Sequence, residues 1–77
     1  MTLFIYSLRG TLYEGDCTSL NAPSETGELT ILEHHVPLMT ALKKGVIRAK
    51  IGAETKEFPL EDGFLYTDGK KIVVLAR

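Results

Sequence analysis

The sequence predicts an all-β domain, and three observations lead to this prediction. Seven glycines are spread along the 77 residues, each at a place where a turn could use one. Short runs of β-branched, aromatic and aliphatic residues lie between these turns. Only one segment, Pro37–Gly45, has the apolar spacing and flanking residues of a short helix, and it is too brief for periodicity to decide. Many short strands at even spacing are typical of a single β-sandwich or barrel domain.

Two strands are clear in the first two thirds of the chain. The apolar run Thr2–Leu8 precedes the first glycine turn and predicts the first strand. Val46–Ile51 has the clearest alternation, because Arg48 and Lys50 point to one side and the apolar residues between them to the other. This period of two predicts a strand with one buried and one solvated face.

The last third predicts an edge strand and a closing hairpin. Lys56–Leu60 repeats the alternation, but Pro59 lacks a backbone N–H, so we expect this strand at the edge of a sheet. Gly63–Val74 predicts a hairpin that closes at Asp68-Gly69. The apolar run Lys71–Ala76 supplies the final strand.

Composition excludes several classes of function. Nine basic residues stand against ten acidic ones, and this near balance argues against nucleic acid and against a polybasic membrane anchor. No charged start followed by a long apolar run appears, so we expect neither a signal peptide nor a membrane span. A lone cysteine excludes an internal disulfide, as expected in a reducing compartment. A chain this short buries only about 60% of its unfolded surface. We therefore expect a small soluble domain, one face of which a partner could cover.

The adjacent histidines suggest a metal site, but the spacing argues against one. Glu33, His34 and His35 are consecutive, so in an extended chain their side chains alternate between two faces and cannot converge on one ion. Zinc needs three or four protein ligands, and Cys17 is the only sulfur available. We expect no metal site.

The sequence does not support a catalytic site either. Cys17 could meet a histidine in space as a nucleophile, but a small packing thiol is the simpler interpretation. No phosphate-binding loop and no nucleophile elbow is present, so we expect no nucleotide, no cofactor and no catalytic residue. The residues alone predict a β-sandwich binding module, for a peptide or sugar, with a small metalloenzyme as a weaker alternative.

An ordered set of motifs adds a family resemblance over essentially the whole chain. The segment from Gly27 to Arg48 resembles the N-terminal domain of the F-type ATP synthase ε subunit. An upstream aromatic-x-Gly turn and a downstream hairpin are also similar to that family. The motifs are Gly27-Glu28, Ile31-Leu32, His35-Val36-Pro37-Leu38, Leu42-Lys43-Lys44-Gly45, Tyr13 with Gly15, Pro23, and the hairpin Gly63–Ala76.

The chain departs from the family pattern at three positions. Thr30 and His34 stand where the family usually has glycine, and Lys44 stands where proline is common. A β-branched residue such as Thr30 does not easily adopt a positive φ, so we expect a different local turn. His34 is interpreted as a solvent-facing addition.

The resemblance implies a flattened ten-stranded β-sandwich over residues 1–77, without catalysis. It implies a rotor subunit of the ATP synthase central stalk, peripheral on the cytoplasmic face of the bacterial inner membrane and not inserted in it. The partners would be the γ subunit and the c-ring. The family's C-terminal helical hairpin, which binds ATP in some members, is expected to be absent because the sequence ends at Arg77.

The resemblance also implies two contact sites. Residues expected at the γ interface are Ser7, His35, Val36, Pro37, Leu38 and Met39. Residues of the loop expected to face the c-ring are Glu25, Thr26, Gly27 and Glu28.

Overall fold

The computed structural model describes all 77 residues, and every regular element in it is a β-strand. The all-β prediction is confirmed, with nine strands rather than ten. The molecule measures 25 × 23 × 18 Å. It contains no helix with the length and apolar character needed to cross a membrane. The strands are β1 (Thr2–Ser7), β2 (Gly10–Asp16), β3 (Ser19–Ser24), β4 (Gly27–Leu32), β5 (Leu38–Leu42), β6 (Gly45–Ile51), β7 (Glu54–Leu60), β8 (Gly63–Thr67) and β9 (Lys71–Ala76).

The strands form one curled sheet with a narrow junction in its middle. The order is β2-β1-β9-β8-β5-β3-β6-β7, and β4 pairs with the free side of β3. Only β1 and β9 are parallel neighbours. At the junction a single residue pair, Ser24 and Leu42, joins β3 to β5. This narrow junction lets β2-β1-β9-β8-β5 and β4-β3-β6-β7 fold over one another as two layers.

The core lies between these two layers. It consists of apolar residues at alternate strand positions, which is how a strand sends one set of side chains inward. The two ends of the curled sheet also meet, because the rings of Tyr13 on β2 and Phe58 on β7 lie 5.9 Å apart between centroids. The buried apolar residues are Leu3, Ile5, Cys17, Leu20, Ala22, Ile31, Leu42, Ile47, Ala49, Leu60, Leu65, Ile72 and Val74.

The strands predicted from alternation are confirmed in detail. In β6 the side chains of Ile47 and Ala49 are buried, whereas Arg48 and Lys50 are exposed. The strand that contains Pro59 is β7, which is the last strand of the sheet and therefore an edge, as the missing N–H predicts. The predicted hairpin is β8–β9, which pair as antiparallel neighbours across the Asp68-Gly69 turn.

The interpretation of Pro37–Gly45 as a possible helical turn is wrong. The chain there forms strand β5, which pairs with β8 along its whole length, from Leu38 opposite Thr67 to Leu42 opposite Gly63. A helix this short is unstable because nucleation costs more than a few hydrogen bonds return. The ladder with β8 satisfies the same backbone groups, so tertiary pairing decides against the local pattern.

The two positions where the family usually has glycine differ in backbone conformation. Thr30 lies inside β4, paired with Asn21, and needs no unusual backbone conformation. His34 adopts a φ of 68° in the turn after β4, and it is the only residue other than glycine with a positive φ. Its side chain is exposed, as predicted.

The carboxylate of Asp68 in the β8–β9 turn makes the stability of the fold depend on pH in the acid range. Asp68 Oδ1 accepts hydrogen bonds from the backbone N–H groups of Lys70 and Lys71, at 2.9 and 3.0 Å, and these bonds lower the pKa of Asp68 below its ordinary 3.8. A carboxyl pKa that is lower in the folded state stabilises the fold above the unfolded-state pKa. This contribution is lost as pH falls through the folded-state pKa.

We therefore expect Asp68→Asn to make the decline in unfolding free energy shallower on acidification below about pH 4. Urea unfolding of the unchanged protein and of Asp68→Asn over a pH series measures this decline in unfolding free energy. Glu54→Gln removes one exposed carboxylate from β7 and is the matched control for net charge. Identical pH slopes for the unchanged protein and Asp68→Asn would contradict the expectation.

Candidate functional site

The loop expected to face the c-ring is a tight, hydrogen-bonded turn between β3 and β4. The buried Ser24 hydroxyl donates to the Gly27 carbonyl at 2.6 Å and lies 3.2 Å from Thr26 Oγ1. Gly27 has a φ of 128°, which favours glycine, and no atom would meet a Cβ there. Glu25, Thr26 and Glu28 are exposed around this turn, so the structure presents two carboxylates on a fixed backbone.

The residues expected at the γ interface lie at two opposite ends of one layer. His35, Val36 and Pro37 form the connection between β4 and β5, beside the β8–β9 turn, and Val36 is 70% exposed. Ser7 is the last residue of β1, at the other end of the layer, where its hydroxyl lies within hydrogen-bond distance of the Gly10 carbonyl and the Arg9 N–H. The structure therefore does not bring Ser7 and His35 together.

The two remaining residues of the expected interface lie on opposite faces of β5. Leu38 is half-buried on the core side, opposite the buried Thr67. Met39 is 72% exposed on the outer side, opposite Tyr66. Adjacent strand residues point to opposite faces. Met39 is therefore available to a partner, and Leu38 contributes to the interior.

Met39 belongs to a larger surface that joins the two ends of the layer. Outward side chains of β5, β8, β9 and β1 stand in two rows across the sheet, because their residues are paired in register. Every member of both rows is apolar or aromatic. We call this surface the apolar face; its rows are Met39, Tyr66, Val73 and Phe4, and Ala41, Phe64, Leu75 and Tyr6.

Four of the eight residues of the apolar face are exposed, and the other four are half-buried. Phe64 is 59% and Leu75 54% exposed, and the rings of Phe4 and Tyr6 are stacked with centroids 6.1 Å apart. A shallow depression of about 230 Å³ lies on it, lined only by apolar and aromatic residues that include Met39 and Tyr66. A contiguous apolar patch without a charge is typical of an interaction site.

The outer face of the other layer differs in chemistry. Arg48 on β6 and Glu57 on β7 form an ion pair, with Nε and Oε2 3.0 Å apart. Asn21 on β3 donates to Thr30 on β4 at 3.1 Å. Polar and charged groups that satisfy one another in this way are typical of a solvated surface. We call it the polar face.

A groove connects the apolar face to the end of the sandwich. It has a volume of about 540 Å³, and its lining includes Phe64, Leu75, Leu8 and Glu25. Leu8, in the β1–β2 turn, is 92% exposed. The loop expected to face the c-ring and the apolar face are thus parts of one continuous surface.

The histidines and the cysteine do not form a site. No three side chains of histidine, cysteine, aspartate or glutamate are gathered as metal ligands would be. His35 Nδ1 lies 2.7 Å from the Val36 carbonyl oxygen, and so it is engaged locally. Cys17 is buried in the core, and burial raises the pKa of its thiol. A packing role for Cys17 agrees with this position.

We expect zinc to bind the protein only weakly, because Glu33, His34 and His35 are consecutive and lack further ligands. Metal analysis of protein purified without added metal checks this, together with calorimetric titration of zinc. Stoichiometric zinc that survives purification would contradict the prediction.

Most of the apolar face was not identified by the sequence reasoning. A signal for it is present in Lys71–Ala76, where the apolar residues run continuously instead of alternating. Strands of this kind are covered on both faces. In β9, Ile72 and Val74 are buried, but Val73 is only half-buried and Leu75 is exposed. The outer side of β9 is therefore left without a cover in the isolated domain.

Two solved structures that contain this fold are of ATP synthases. A chain in the cryo-EM structure of the Euglena gracilis mitochondrial ATP synthase (OSCP/F1/c-ring in rotational state 1) aligns with a TM-score of 0.88, covering 96% of this chain and 48% of that one. A chain in the Tetrahymena thermophila mitochondrial ATP synthase central stalk and c-ring structure aligns with a TM-score of 0.76, covering 97% and 63%. Both are 14% identical to this chain, so they show the fold alone.

Sequence comparison gives the family. The ATP synthase epsilon chain of Dehalococcoides mccartyi strain BAV1 is 38% identical over 76 residues, which are 99% of this chain and 54% of the relative. The chain thus spans about half the length of that relative. The family model described as the ATP synthase Delta/Epsilon chain β-sandwich domain matches residues 1–77. This chain therefore belongs to the family of ATP synthase delta/epsilon chains, through their β-sandwich domain.

Proposed function

We propose that this chain is a non-catalytic rotor subunit of an F-type ATP synthase. It binds the γ subunit through the apolar face and the adjoining His35–Pro37 segment, and it faces the c-ring with the Glu25–Glu28 loop. The observation that carries the proposal is the contrast between the two outer faces, one apolar and exposed, the other polar and internally paired. Membership of the epsilon-chain family supplies the complex in which such a face would be covered.

The apolar face suits a partner that must stay in a fixed position on this chain while torque is transmitted. Its side chains project from four strands that are hydrogen-bonded neighbours, so the surface is held without ordering a loop on binding. Burial of apolar surface contributes roughly 25 cal/mol per Å². Aromatic side chains such as Phe64 and Tyr66 are the residue types enriched in interface cores. A rigid face of this kind can pass torque from the c-ring to γ.

The Glu25–Glu28 loop lies at the opposite end of the layer from His35. Ser24 is paired with Leu42, which is the β5 residue farthest from the His35–Pro37 segment. Contacts at the two ends of a body 25 Å long would let the domain bridge two partners. We place the complex at the cytoplasmic face of the bacterial inner membrane, with this chain peripheral and not inserted.

A binding experiment tests the proposal. The purified chain is mixed with a purified γ subunit and analysed by gel filtration and calorimetry, and a one-to-one complex is expected. Detergent-solubilised c-ring should then be retained by the chain–γ complex. A folded chain that does not associate with γ would overturn the proposal and favour the free-standing ligand-binding module.

A further inference from the structure

The His35–Pro37 segment is supported by the β8–β9 turn. Residues 33–37 form the connection between β4 and β5, and they contain no strand. One backbone hydrogen bond ties this connection to another hairpin, from the His34 N–H to the Gly69 carbonyl, at 2.9 Å. The other bond from the connection, from the His35 N–H to the Leu32 carbonyl, only closes the turn itself.

Gly69 is the centre of this contact. It is buried, with a φ of 94°, a backbone conformation that side-chain-bearing residues rarely adopt. A Cβ at this position would lie 2.7 Å from the His35 carbonyl oxygen, closer than van der Waals contact allows. The connection therefore lies directly against the glycine, and a side chain would push the His35 peptide away.

The backbone of Gly69 is itself anchored to the core by hydrogen bonds. Its N–H donates to Thr67 Oγ1 at 3.1 Å, and the same hydroxyl donates to the Lys71 carbonyl at 2.8 Å. Thr67 is fully buried, so the β8–β9 turn has one well-defined position relative to the interior. On the other side of the contact, His34 adopts its positive φ of 68°, a strained conformation that its surroundings must maintain.

We propose that Gly69 and His34 are positioning residues that hold the His35–Pro37 segment in the conformation that binds γ. We call the contact between them the Gly69 brace. The proposal rests on the proposed function, because it assigns the brace a role in γ binding. Neither residue needs to touch γ: Gly69 is buried, and His34 contributes its backbone.

The first test compares two glycine substitutions. Gly69→Ala places a methyl group against the His35 carbonyl, whereas Gly52→Ala, in the β6–β7 turn, has a φ of 62° and nothing within 4 Å of the added Cβ. Both substitutions impose backbone strain, but only the first disturbs the brace. For folded protein, we expect Gly69→Ala to weaken γ binding by about tenfold or more and Gly52→Ala to leave it unchanged.

A second pair of variants tests the brace from the other side. His34→Gly keeps the N–H and tolerates positive φ, so γ affinity should be retained. His34→Val should weaken binding as Gly69→Ala does, because β-branched residues avoid this conformation. Should Gly69→Ala fail to fold, the comparison of His34→Gly with His34→Val still tests the positioning role. Loss of affinity in His34→Gly would instead make the imidazole a γ contact and overturn the positioning role.

Hydrogen exchange separates the brace from the γ interaction. The His34 amide should exchange faster in Gly69→Ala than in Gly52→Ala, since its acceptor is the Gly69 carbonyl. Faster exchange together with unchanged γ affinity would overturn the positioning role and leave the proposed function intact. If the unchanged protein does not bind γ, the proposed function fails and the brace has no role in that binding.

Discussion

Replacing Met39 by aspartate is expected to weaken γ binding strongly while the domain stays folded. Met39 is 72% exposed in the free chain and stands in a row with Tyr66, Val73 and Phe4. In the complex the carboxylate would be desolvated against an apolar surface without a partner, at a cost of about 2–5 kcal/mol. This corresponds to a loss of roughly thirtyfold or more in affinity, which calorimetry with purified γ measures.

Three controls make the result specific. Thr55→Asp places the same residue on the polar face, where Lys50 stands opposite, and it should leave γ binding unchanged. Lys56→Ala removes an exposed side chain of the edge strand β7 whose ammonium lies 5.8 Å from the centre of the Tyr13 ring, and it should alter neither folding nor binding appreciably. Leu38→Asp, on the core side of β5, should unfold the domain, which circular dichroism reports. A folded Met39→Asp protein with unchanged γ affinity would show that the apolar face is not the interface.

Leu65→Ala is expected to destabilise the fold strongly without changing its outer surface. Leu65 is fully buried in the middle of β8, and replacing such a leucine by alanine costs about 2–5 kcal/mol through lost burial and the cavity left behind. A domain of 77 residues has a total stability of roughly 4–12 kcal/mol, so the change removes a large part of it. Urea unfolding at neutral pH gives the difference in free energy of unfolding between the unchanged protein and Leu65→Ala.

The neighbouring residue provides the matched comparison. Phe64 precedes Leu65 in the same strand but points outward and is 59% exposed. Phe64→Ala should therefore change the free energy of unfolding much less than Leu65→Ala and should weaken γ binding instead. Equal losses of stability from both substitutions would mean that the two faces of β8 are not distinct.

Several features of this protein follow from the sequence by itself. The alternation in Val46–Ile51 determines which side chains of β6 are buried, because a strand sends successive residues to opposite faces. Pro59 marks an edge strand because it cannot donate to a ladder. Asp68-Gly69 marks the β8–β9 turn because glycine tolerates the φ of 94° found there. These are local properties, and each acts within a few residues.

Only the tertiary structure decides the features that depend on pairing between distant residues. Leu38–Leu42 is a strand because β8 supplies its hydrogen-bond partners, and that pairing separates Met39 on the surface from Leu38 inside. The same register aligns four strands into the apolar face and places Ser7 at the far end from His35. The His34 N–H has its acceptor on Gly69, which is distant in sequence. Local propensity is weaker than the combined effect of ladder bonds and packing, so the surface that a partner would meet is set by the fold as a whole.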